Sequence, residues 1–227
     1  MKRTIFLLVV LLSSPLAFAG SPPINLLVTP RIAVAIVSKD DRKLNDLDKA
    51  YLDAFTILRD DNACSRLYGG PMAIEALNEL MLVVRPAYLE RNIAVRMSGP
   101  TTIYRNAVTG FSFRMFKKAE INMEGSFYRG NAPSHQRIPS IANFQPNTRQ
   151  TRVTLLLHEL GHLVRGADKD WLLSDDGHDL VLSTRNTQQV VDVCRKEIES
   201  VTRMTVAQQL EEPLTTVAQL ATLPDAP

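Results

Sequence analysis

The sequence predicts an α+β domain in which a small, mostly antiparallel sheet packs on helices around one central helix. Three observations carry that expectation. Apolar residues recur at spacings of three and four over several long stretches, the period falls to two between Ile93 and Met123, and a strongly apolar helical pattern follows the strands at Val153–Val164.

In chain order, Met1-Lys2-Arg3, the apolar run Thr4–Leu12 and Ala17-Phe18-Ala19 have the layout of an export signal, so residues 1–19 are expected to be a signal peptide cut before Gly20. That run is too short to read as a membrane span, and no later stretch is long enough either. Residues 20–210 then read as a single domain and 211–227 as a C-terminal tail. Ile32–Val37 is a continuous apolar run with the signature of a buried strand. Leu44, Leu47, Tyr51, Phe55 and Leu58 form the stripe of an amphipathic helix ending near Asp60-Asp61-Asn62. After the break at Gly69-Gly70-Pro71, Met72, Leu77, Leu80, Met81 and Val84 mark a second helix that stops before Pro86.

Short strands are expected around Ile93–Met97, Thr101–Tyr104, Phe111–Met115 and Ile121–Met123, with Gly99-Pro100 as a break. The long connection from Gly125 to Pro146 leads to the central helix, for which Asn147 and Gln150 form a capping pair and Gly166 a C-terminal stop. The acid-rich segment Asp168–Asp179 follows. A last helix has Asn186 as its cap and Val190, Val191, Cys194, Ile198 and Val201 as its apolar stripe.

Charge narrows the function classes. The chain has 26 basic and 24 acidic residues, and loss of Lys2 and Arg3 with the signal leaves 26 − 2 = 24 against 24. A neutral mature chain lacks the electrostatic footprint of a nucleic-acid binder, so no nucleic-acid partner is expected. Basic residues do gather between Thr101 and Arg152, where only Glu120 and Glu124 are acidic. Cys64 and Cys194 are the only cysteines, and in an exported chain they are expected to pair. Closing so long a loop stabilises by an amount on the order of 4 to 5 kcal/mol in the chain-entropy model.

The chemistry-bearing stretch is His158-Glu159-Leu160-Gly161-His162. Two histidines four residues apart project from one face of a helix and can reach one metal, with Glu159 beside them. This H-E-x-x-H spacing suits Zn²⁺ held by two neutral imidazoles, with the carboxylate taking a proton from the water that the metal activates. A catalytic zinc takes a third protein ligand, so one is sought in the acid-rich loop. Asp176 is preferred there, ahead of Asp179 and Asp168, with His178 after them. Tyr128, His135 and His178 are candidate donors to an oxyanion.

On the residues His158 to His162, the chain resembles the zincin superfamily of metallopeptidases. Arg165 stands where metzincins carry their turn glycine and no glutamate follows until Glu197, so the resemblance points to neither metzincins nor gluzincins. The run Asp175-Asp176-Gly177-His178-Asp179, with Ser183, Asn186-Thr187 and Cys194 beyond it, is similar to exported bacterial zincin-like proteins. The resemblance implies a zinc-dependent peptidase of zincin-like fold, with Glu159 as general base and a peptide or protein as substrate bound as an extended strand on the sheet edge. The alternative is a non-catalytic zinc-binding structural or interaction protein.

Overall fold

The computed structural model describes residues 44–90, 93–131, 136–166, 168–177 and 179–205. The signal segment, the strand expected at Ile32–Val37, His135, His178 and the tail from 211 lie outside them. The described residues form a mixed α+β arrangement of five helices and a three-stranded sheet.

Helix α1 (Asp46–Arg59) starts where Asn45 caps it, its side chain accepting from the Asp48 amide at 2.8 Å. Asp46 and Asp48 in the first turn and Arg59 in the last complement the helix dipole. The short α2 (Ala63–Leu67) is capped by Asn62 and carries Cys64. A 3-10 turn at Gly70–Met72 leads into α3 (Ala73–Val83) and directly into strand β1 (Val84–Ala87). The expected helix therefore ends one residue sooner than its apolar spacing implies, and Pro86 sits inside a strand. β1 is an outer strand, where a residue without an amide proton is tolerated.

β2 (Val95–Arg105) and β3 (Ser112–Asn122) form one long antiparallel hairpin in place of the four short strands expected. Gly99-Pro100 does not break the chain there. It makes a bulge, with the register shifting between Ser98 and Thr101 and Gly99 in a left-handed conformation (φ 87°). β1 pairs in parallel with the other side of β3, giving the order β1-β3-β2 and leaving β2 outermost.

Helix α4 (Arg149–Leu163) carries the two histidines and is buried almost all round, from Val153 through Leu163. A helix with so little exposed surface belongs to the core. Tyr68 fixes it from behind, its buried hydroxyl donating to Leu157 O at 2.7 Å. At the amino end Arg149 makes a forked ion pair with the fully buried Asp53. The cap is Thr148, not Asn147. Asn147 takes a left-handed turn (φ 59°), a conformation asparagine adopts readily, and this moves the first helical residue one position along.

At its other end α4 stops at Leu163, and Val164 leaves as extended chain bridged to Phe113 of β3. No left-handed glycine is needed at Gly166, because the last carbonyls find other donors. Gly161 O accepts from Leu173 N at 3.0 Å, and His162 O accepts from Arg114 Nε at 2.7 Å. Gly161 is required for close approach: a Cβ there would lie 2.6 Å from Leu173 Cδ1 and 2.7 Å from its Cγ. Leu173 is buried and stands three residues before Asp176, so this contact seats the acid-rich loop on the helix. Gly161→Ala is expected to lower stability by about 1 to 2 kcal/mol, the overpacking cost exceeding the gain in helix propensity. An unchanged or raised midpoint in urea unfolding would contradict this.

Helix α5 (Leu180–Val201) is longer than its apolar stripe alone suggests. Its cap is Asp179, which accepts from Val181 N and Leu182 N, while Asn186 lies buried inside the helix. The Cys64–Cys194 disulfide ties α2 to α5 across 130 residues, as the cysteine count implies. No helix among the described residues is long and apolar enough to cross a membrane.

Candidate metal centre

Three side chains from two places in the chain converge at one point. His158 and His162 come from adjacent turns of α4, and Asp176 comes from the loop before α5. His158 Nε2 lies 3.0 Å from His162 Nε2 and 3.1 Å from Asp176 Oδ2, and His162 Nε2 lies 3.4 Å from that same oxygen. Both histidines are buried, and the Asp176 side chain is 15% exposed. These three are the only group of histidines, cysteines and carboxylates among the described residues arranged to hold a metal ion.

Proton bookkeeping tests whether a metal suits them. Thr187 Oγ1 has one proton and donates it to Ser183 O at 2.9 Å, so at 2.9 Å from His158 Nδ1 it can only accept. His158 therefore carries its proton on Nδ1 and turns the Nε2 lone pair to the cluster. An ionised Asp176 adds only lone pairs, so beyond the long 3.3 Å bond that Asn186 Nδ2 donates to Asp176 Oδ2, at most the Nε2 proton of a neutral His162 serves the three atoms. A cation serves all three at once. The three separations are also close to the ~3.3 Å edge of a tetrahedron whose ligands stand about 2.05 Å from a zinc-sized centre. The residues fit a divalent metal.

The surroundings hold the donors in place. Thr187 orients His158 in the way that outer partners orient metal-binding imidazoles. Asn186 Nδ2 donates to Ser174 O at 2.9 Å and to Asp176 Oδ2 at 3.3 Å, fixing both the loop and the carboxylate. The His162 ring packs edge-on against His158, with centroids 4.8 Å apart, while its Nδ1 is buried and has no hydrogen-bond partner among the described residues.

Electrostatics separates the two carboxylates. Burial pushes the Asp176 carboxyl up, but the two imidazoles against it outweigh burial and hold the group well below the usual carboxylate range. Glu159 goes the other way: burial raises its carboxyl, and the two histidines only partly offset the effect. For His162, burial favours the neutral ring, yet Asp176 and Glu159 together raise its affinity for a proton. One carboxylate is thus kept ionised as a donor, and the other is moved towards the range where it can take up a proton.

Glu159, His158, His162 and Asp176 line one cleft of about 660 Å³. Its walls are the outer strand β2 with the residues leading into it (93–98), the segment 138–141 and the first turns of α5. Apolar side chains such as Ile93, Met97, Ile141 and Leu155 face it beside the polar cluster.

The other loop candidates have structural work. Asp179 caps α5, and Asp168 Oδ1 accepts from Asp170 N in a turn. Tyr128 does not line the cleft; it packs edge-on against Phe127, near Asp46 and Arg152. The sequence names Thr187 only within a pattern, with no role, and places Asn186 at a cap and not inside the helix. A signal for both exists: they continue the apolar stripe of Val190, Val191 and Cys194 one turn towards the amino end, and polar residues on a buried stripe need partners. No family model, curated protein or solved structure matches the chain.

Proposed function

We propose that this chain is an exported zinc-dependent metallopeptidase that hydrolyses peptide bonds, with Glu159 as general base. The observation that carries the reading is the convergence of His158, His162 and Asp176 beside the buried Glu159 on the wall of a single cleft. His158, His162 and Asp176 would hold a zinc ion, whose contribution there would be Lewis acidity towards a carbonyl and a water molecule.

The chain's own residues supply the remaining work. Asp176 and the Nε2 atoms hold the site, Thr187 and Asn186 orient its donors, and Glu159 accepts a proton from the attacking water and passes it to the leaving amine. The outer strand β2 runs along the cleft, so an extended peptide binds by adding a strand to its edge. The apolar wall residues receive side chains of that peptide. The resemblance of His158–His162 to the zincin superfamily supports the same chemistry and a zincin-like fold, and the disulfide supports export to an oxidising compartment.

The test is incubation of the purified chain with a broad peptide library, with products read by mass spectrometry. Cleavage is expected, is lost on treatment with a zinc chelator, and returns with one equivalent of zinc. A chain that binds zinc but cleaves no peptide would contradict the peptidase reading and support a zinc-binding structural protein.

A further inference from the structure

We propose that Arg114 is the positioning residue of the metal centre, a single rigid cation that sets the distance between His162 and Asp176. The inference rests on the metal-binding reading above. Arg114 stands near the start of β3, is 7% exposed and does not line the cleft. A buried guanidinium persists only when its charge and its donors are met, so its partners show what it holds together.

Those partners belong to both halves of the site. Nε donates to the carbonyl of His162 at 2.7 Å, one of the carbonyls that the end of α4 leaves without a helical donor. The two terminal nitrogens form a fork on the Asp175 carboxylate, one of them at 3.2 Å. His162 is itself a member of the donor set, and Asp175 is the peptide neighbour of another. The flat faces of the guanidinium are also occupied: the Trp171 ring lies 4.4 Å from Arg114 Cζ and the Phe116 ring 5.2 Å from it. Trp171 stacks in turn on Arg165, at 4.3 Å. Trp171 and Asp175, with Arg165 stacked behind Trp171, are thus gathered around one group fixed to the sheet.

This arrangement needs an arginine. The fork requires two parallel N–H bonds while a third points to the helix carbonyl, and stacking requires a planar cation. Lysine offers a point charge and can meet only part of the set. The Asp175 side chain is 65% exposed, so an ordinary surface pair there would contribute little. What the pair does contribute is the orientation of the adjacent Asp176.

The experiment measures zinc affinity by chelator competition on the full chain, for wild type, Arg114→Met, Arg114→Lys and Asp175→Asn. Thermal unfolding of each metal-free protein is followed in parallel. Both Arg114 variants are expected to bind zinc about 10- to 100-fold more weakly, the range found for outer partners of metal ligands, with lysine failing to rescue. Asp175→Asn should weaken binding as well, and adding it to Arg114→Met should cost no more than Arg114→Met alone. Wild-type zinc affinity in the variants, even with a lowered melting temperature, overturns the positioning role and leaves Arg114 as structural. Should Arg114→Met not fold, Asp175→Asn decides alone: it keeps the shape of a side chain that is 65% exposed while weakening its fork with Arg114, and unchanged affinity there overturns the proposal. A wild-type chain that binds no zinc overturns the metal-binding reading itself.

Discussion

Glu159→Gln is expected to retain zinc at wild-type affinity and to lose peptide hydrolysis by about 10²- to 10⁴-fold, the usual worth of a positioned general base. Glutamine keeps the shape and most of the packing of a side chain that is only 8% exposed, so the fold should survive. It cannot accept the proton. Burial raises the Glu159 carboxyl above its ordinary range, favouring proton uptake, and the amide has no equivalent state. The three converging donor atoms belong to other residues, so metal content is expected to be unaffected. Steady-state kinetics with a cleaved peptide, together with zinc analysis of the same sample, checks both halves. Full activity in the variant would remove Glu159 from the mechanism.

Asp176→Ala is expected to weaken zinc binding by more than about 100-fold, beyond the range of an outer-shell partner. It removes the one anionic donor and leaves two imidazoles. The cost to the fold should be small, because the loop is held separately by the Leu173–Gly161 contact and the Arg114–Asp175 fork. Chelator competition with circular dichroism of the same protein distinguishes the two effects. Unchanged zinc affinity would show that the third donor lies elsewhere.

Much of this site was legible in the residues, and the exceptions have a common cause. His158, Glu159 and His162 are fixed relative to one another by helical spacing alone, which is local. Asp176 was one of several loop acids, and nothing local separates it from Asp168 or Asp179. The choice among them is made by contacts that span the chain, from Gly161 to Leu173, from Arg114 to Asp175 and from Asn186 to Ser174. The missed caps follow the same rule. Asn147 and Asn186 each have the chemistry of an N-cap, but the first makes a left-handed turn and the second is drawn into the core by a carbonyl twelve residues away. Gly99-Pro100 reads as a break because both residues disfavour strands; pairing with β3 on either side turns it into a bulge. The α1, α3, α4 and α5 stripes needed no such information, since each is set by its own period.

The metallopeptidase reading requires one zinc ion among His158, His162 and Asp176. The most direct measurement is a crystal of the full chain grown with zinc, with anomalous difference maps collected on both sides of the zinc edge. One peak is expected within about 2.2 Å of His158 Nε2, His162 Nε2 and an Asp176 oxygen, vanishing below the edge. Absence of a peak at that point, with zinc present in the crystal, would exclude a zinc site formed by these three residues.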